Sequence, residues 1–288
     1  MRTRSAPHLG GTGPRCAAAR GGLPGAAWLA TLALAGGCET PPPRLDAYVG
    51  RPEWTYDHEG VVRGDRTQRR LALVFTGGQH GEGTAPILDA LRRHDVRASF
   101  FVTGEYLAQP GRQDLVRRMV REGHYVGPHS DGHLLYCAWE RRGQSLVTRD
   151  QFRDDLRRNI KALRKLGALR DAGPIFFVPP HEWYNRQHVA WARELGVVLI
   201  NYTPGTGSHR DWIPEGDRGF LPSRRILADI LAFEDREPQG LNGFLLLLHL
   251  GSQREDKMHY QVDTLVAELV RRGYALVRVD ELLQPPAP

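Results

Sequence analysis

From residue 70 onward, short apolar runs rich in β-formers alternate with longer stretches of helical period, and that alternation restricts the chain to few folds. The strand-like runs fall at 71–75, 98–103, 124–128, 175–178, 197–202, 244–249 and 275–279. Between them, 86–94, 114–122, 149–166, 186–195, 223–233 and 260–272 carry helical periodicity. Gly123, Gly167, Gly196 and Gly273 follow helical segments, as expected where a helix closes on a left-handed residue. Runs such as IFFV and FLLLLH are continuously apolar, which suits strands covered by helices on one face and by a packed interior on the other. Consecutive strand–helix units with right-handed crossovers build either an open doubly wound sheet or a closed barrel. The sequence has no glycine-rich phosphate fingerprint, and seven strands favour a barrel, one short of the usual eight.

At 288 residues the chain holds one large domain or two small ones. Its 41% hydrophobic and 25% charged residues exclude collagen-like, low-complexity and multi-span membrane classes. The net charge of +6 raises the question of a nucleic-acid partner. Four of the 39 basic residues (Arg2, Arg4, Arg15 and Arg20) lie in 1–37, which contains no acid; the remaining 35 oppose 33 acids. No Lys/Arg block is long enough to follow a phosphate backbone, so no nucleic acid is expected as a partner. An Arg-bearing start, a short apolar run at 28–35 and small residues before Cys38 follow the layout of an export signal. That apolar run is far below the roughly 20 residues that span a bilayer. LAGGC at 34–38 is similar to a bacterial lipoprotein box, with Ala35 rather than Leu34 three places before the cysteine. The expectation is a signal over 1–37 and a lipidated Cys38, making an envelope lipoprotein attached to the membrane only by lipid; simple secretion is the alternative. Residues 38–69 read as a tether and N-terminal extension, and 70–283 as the domain. Once the signal is removed only Cys137 is left to pair, so no disulfide within the chain is expected.

In parallel strand–helix folds the chemistry gathers where strands end. Thr76-Gly-Gly-Gln-His80-Gly-Glu82 follows the first strand, His129-Ser-Asp-Gly-His133 the third, and His181-Glu-Trp-Tyr-Asn185 the fourth; His249 ends the sixth. His129 and His133, four apart, would share one face of a helical turn and grip one divalent ion; they also suit surface or capping positions. His249 suits proton transfer near neutral pH, or a satisfied place in the core. Trp183 and Tyr184 suit a sugar-binding wall or rim packing, and His181 suits loop structure.

These segments, in order, resemble the polysaccharide deacetylase family, the NodB-homology domain of carbohydrate esterase family 4. The likeness runs through LALVF at 71–75, VRASFFVTG at 96–104, EGHYVGPHSDGH at 122–133, FVPP at 177–180, FLLLLH at 244–249 and RGYALVRVDELL at 272–283. The resemblance implies a distorted (β/α)7 barrel and metal-assisted removal of acetyl groups from an acetylated polysaccharide or oligosaccharide, at nitrogen or oxygen. It assigns His129 and His133 as metal ligands and His249 as general acid. The chain departs from the pattern at three places. The family's two adjacent aspartates, a base and a third ligand, fall on Thr76 and Gly77, and its arginine before the prolines falls on Val178.

Two histidines under-coordinate a catalytic zinc, which usually takes three protein ligands and a water. His80 is therefore expected as the third ligand of a divalent ion, zinc by preference, with Glu82 as the base; Glu182 and Asp131 are further candidates. Such an ion would acidify the attacking water and polarise the carbonyl. The competing expectations are a barrel that binds carbohydrate without turnover and a hydrolase for another acyl or phosphoryl substrate.

Overall fold

The computed structural model describes residues 45–169 and 173–285; the expected signal, Cys38 and the tether at 39–43 lie outside the described residues. Among the described residues, no helix is long and apolar enough to cross a membrane. Nine strands are described: β1 (Thr55–Asp57), β2 (Gly60–Arg63), β3 (Arg70–Gly77), β4 (Ser99–Val102), β5 (Tyr125–Pro128), β6 (Ile175–Phe177), β7 (Val197–Leu199), β8 (Leu245–His249) and β9 (Ala275–Leu276). The helices are α1 (Thr84–Arg93), α2 (Gly104–Ala108), α3 (Arg112–Arg121), α4 (Arg149–Lys165), α5 (Arg186–Glu194), α6 (Ser223–Arg236), α7 (Val262–Arg271) and α8 (Val279–Leu282).

The principal sheet runs β5-β4-β3-β8 with every neighbour parallel, and β9 pairs with the start of β3. A second parallel pair, β6-β7, stands apart. Two links bring it round towards a barrel. On one side Tyr125 of β5 accepts a hydrogen bond from Phe176 N–H of β6 at 2.8 Å. On the other, β2 bridges Val61 to Ile200 and Arg63 to Phe244, so it sits between the β7 and β8 strand lines. The Thr203 hydroxyl joins the same seam, donating to Val62 O and accepting from Leu245 N–H at 2.9 Å. The α/β barrel expected from the sequence is thus present in its distorted form. Residues 55–63, expected in an extension outside the domain, instead form a hairpin whose second strand is buried in the wall at Val61 and Val62.

Side-chain parity decides what faces the interior. In β3, Leu71, Leu73 and Phe75 join the helix-side core, whereas Ala72 and Val74 pack inside the barrel. In β8, Leu246 and Leu248 face the helices and Leu245 and Leu247 the interior. Successive strand side chains alternate, so Thr76 and His249 inherit the interior side at the ends of their strands. Register then sets them level, because Thr76 pairs with His249, and Gly77 pairs with Val102, which pairs with Pro128 next to His129. At the opposite end α8 plugs the interior with Val279, Leu282 and Leu283. The run expected as a strand over 275–279 stops at Leu276, because Arg278 caps α8 and Val279 N–H is taken by the Ser99 hydroxyl at 2.8 Å.

Candidate active site

The strand ends open into a cleft of about 660 Å³ lined by Thr76, His80, His129, His133, His181, Glu182, Trp183 and His249 among others. His129 leaves β5 almost wholly buried, its backbone N–H on the Asn159 carboxamide oxygen at 3.0 Å. Its Nδ1–H donates to Val178 O at 2.7 Å, which fixes the ring and leaves the Nε2 lone pair for the cleft. His133 reaches the same place by a different route from the helical turn expected. Ser130 and His133 have φ of 71° and 50°, a left-handed conformation that non-glycine residues seldom take. The bend is held by His133 N–H on the Ser130 hydroxyl and by Gly132 N–H on the buried Asp155 carboxylate. The two imidazoles finish with centroids 5.1 Å apart, and burial pushes His129 well below the usual histidine range and His133 down to about 3. Both are neutral at physiological pH.

After β6, a short 3-10 turn over Pro180–Glu182 holds His181 and Glu182 at φ of 59° and 51°. His181 Nε2–H donates to His133 O at 3.2 Å, and the rings lie 4.3 Å apart. Glu182 is turned inward, with 12% of its side chain exposed and one carboxyl oxygen 3.8 Å from His129 Nε2. Burial pushes its carboxyl up to about 7; nearby His249 opposes this and Asp211 adds to it. Two adjacent residues in strained backbone, aiming a buried acid into a cleft, are the kind of outlier that points to function.

His249 ends β8 with its Nδ1–H on one Asp211 oxygen at 2.7 Å and its backbone N–H on the other at 2.8 Å. Burial alone would lower this imidazole, but the Asp211 carboxylate outweighs it and Glu182 adds to the effect, so its pKa is raised. Beside His249, the Thr76 hydroxyl is buried in the cleft wall with no hydrogen-bond partner among the described residues.

The other expected residues are placed as follows. His80 lines the cleft, half-buried. Glu82 is turned to the Lys257 ammonium at 2.6 Å and to the N–H of Ser252 and Gly81, both at 3.1 Å. Those donors outweigh burial and hold its carboxyl down at about 2, so it is a poor base, and it does not line the cleft. Asp131 pairs with Arg158 at 2.9 Å. Tyr184 is fully buried in the core with its hydroxyl on Asp57 O, so of the expected sugar wall only Trp183 faces the cleft.

Whether these groups fit a metal turns on the third donor. His129, with Nδ1 held and Nε2 free, has the form of a metal-binding histidine. Gly77, where the family pattern has its third ligand, has no side chain. Among the described residues no group of three or more His, Cys, Asp or Glu is arranged to hold an ion. The donor set is incomplete for a catalytic zinc, and the chemistry below routes no step through one.

Asp211, Trp212 and Trp139 were missed in the sequence. Asp211 nonetheless lies in the loop that follows β7, where the same strand-end rule directs attention.

A cleft at the carboxyl ends of barrel strands, with a buried acid and a carboxylate-held imidazole facing it, defines the class as a catalytic-type α/β barrel. The polysaccharide deacetylase family model matches residues 63–200, so over that stretch the chain is similar to that family. Among relatives, it is 28% identical over 218 residues to the peptidoglycan N-acetylglucosamine deacetylase PgdA of Listeria monocytogenes, a match covering 75% of this chain but only 39% of that protein. Its fold resembles PdaA of Bacillus subtilis, a family 4 carbohydrate esterase (TM-score 0.61, 22% identity, 78% of this chain and 85% of that one). It equally resembles a family pseudoenzyme from Bacillus anthracis (TM-score 0.61, 21% identity, 80% and 70%).

Proposed function

We propose that this chain hydrolyses acetyl groups from a polysaccharide or oligosaccharide, with Glu182 and His249 as its proton carriers. The observation that carries the reading is Glu182: a buried carboxyl with a pKa near 7, facing His129 and coupled to His249 across an open cleft. A carboxyl there takes a proton from water far more readily than one at its ordinary value. The attacking water loses its proton to the Glu182 carboxylate as its oxygen bonds to the acyl carbon. The Thr76 hydroxyl, buried and unpartnered, donates to the acyl oxygen as it gains negative charge. His249, held by Asp211 with Nδ1–H engaged, delivers a proton from Nε2 to the departing nitrogen or oxygen as its bond to carbon breaks. Without that proton the leaving group would depart as an unstable anion.

Relatives named as peptidoglycan and chitooligosaccharide deacetylases support an acetylated glycan as substrate. A weakly held divalent ion at His129 and His133, zinc by preference, and a lipid anchor at Cys38 belong to the same proposal. A second reading, glycan binding without turnover, draws support from Thr76 and Gly77 standing where the family has its aspartates. Acetate release from acetylated chitooligosaccharide, peptidoglycan and xylan decides between them. Release by the wild type and its loss in both Glu182→Gln and His249→Ala supports hydrolysis; release unchanged in both removes the roles assigned.

A further inference from the structure

We infer that Trp139, stacked on Trp183, is a platform for a sugar ring beside the reacting one, in a cleft that accepts an uncharged glycan of several units. This rests on the glycan reading above and adds to it a binding subsite and a charge preference. Trp139 is 53% exposed, among the most open large apolar side chains described, and it lines the cleft. An exposed indole is commonly mobile, but this one is braced. Its ring lies 5.5 Å from that of Trp183 at 29°, and edge-on to His181 at 5.9 Å. Trp183 is itself fixed, its indole N–H on Ala138 O at 3.2 Å and the Arg142 guanidinium 4.3 Å from its ring centre. Arg142 is tied in turn to Asp57 at 2.7 Å and to Tyr184 O.

A rigid aromatic surface left open to water costs solvation but loses little entropy when a partner covers it. The C–H face of a pyranose is such a partner, with hydroxyls around its edge for the polar groups nearby. Trp212, 51% exposed on the loop that carries Asp211, offers a second indole to the same cleft. The charges select the glycan. The chain has 39 Lys and Arg, yet among the described residues none lines the cleft, whereas Glu105, Glu182 and Asp217 do. A uronate or other anionic sugar would meet carboxylates, with no Lys or Arg to pair with and the His249 imidazolium already held by Asp211.

The test is titration of the full chain, followed by tryptophan fluorescence and calorimetry, with chitin oligomers of one to six units, neutral acetylated xylo-oligomers and oligogalacturonate. The expected result is at least tenfold tighter binding of four units than of one for a neutral series, with oligogalacturonate at least tenfold weaker. Trp139→Ala should lose about tenfold on the long oligomer only, with unchanged melting temperature, and Trp139→Tyr should recover most of it. Length-independent affinity, equal binding of oligogalacturonate, no binding of either neutral series, or an unaltered Trp139→Ala each overturns the inference. Binding of this pattern without acetate release would instead remove the hydrolytic reading and leave the platform standing. Acetate release with length-independent affinity would do the reverse.

Discussion

Glu182→Gln tests the central claim without any substrate. The wild-type carboxyl has a pKa of about 7 in the fold against an ordinary value of 4.5. Between those values the folded state holds the proton more firmly than the unfolded one, so this group's contribution to stability falls as pH rises from 4.5 to 7. A pKa raised from 4.5 to about 7 amounts, at about 1.4 kcal/mol per pH unit, to roughly 3.5 kcal/mol of destabilisation once the carboxylate is ionised. Glutamine keeps the shape and cannot ionise. Urea unfolding of both proteins in chelator from pH 4 to 8.5 isolates this residue, because other titrations cancel in the difference. The variant should match the wild type near pH 4 and gain stability relative to it with rising pH. The gain should level off above 7 at about 3.5 kcal/mol, or less where the His249 imidazolium relieves the buried charge. A difference that stays flat across the range would show that the carboxyl titrates normally, and the base assigned above would be lost.

Asp211→Asn removes the ion pair that raises His249, so the alkaline limb of the pH–rate profile should move to lower pH and kcat fall by about 10²-fold or more; an unmoved limb refutes the pairing. In the wild type the acid limb of kcat/KM should fall near pH 7, where Glu182 loses its proton, and a limb near 4.5 refutes the base assigned. Glu82→Gln should leave acetate release intact and cost about 1 kcal/mol above pH 5, a small figure because the Glu82–Lys257 pair is partly screened by solvent. Since Glu82 is held below its ordinary value, that contribution is present above 4.5 and fades as pH falls toward 2. Equilibrium dialysis with zinc should show weaker than stoichiometric retention by the wild type and a gain on Gly77→Asp; the carboxylate needs the Leu250 methyl, 2.7 Å from the position of an added Cβ, to give way.

The barrel was legible because its strands are apolar in runs and its helices in stripes, signals that survive without knowledge of neighbours. The same local rule fails for β2, whose Gly60-Val-Val-Arg63 is too short to stand out; it forms a strand because Ile200 and Phe244 leave a gap that its backbone fills. The site divides in the same way. His129, His133 and His249 were visible because each sits at the end of, or just past, a strand whose parity and register set its side chain's direction. Glu82 and Tyr184 were misplaced because each lies within two positions of a residue that does line the cleft, His80 and Trp183 respectively. Which of two neighbours turns inward depends on partners distant in sequence: Lys257 and Ser252 for Glu82, Asp57 for Tyr184. Glu182 shows the converse. Nothing in PPHEW announces a left-handed turn, yet two successive positive φ values carry its carboxyl inward beside His129. On the function proposed above, an acid so placed compensates in part for the absent aspartates: it gives the cleft a proton acceptor from the opposite wall, while Gly77 leaves the family's third donor position beside the two histidines unfilled.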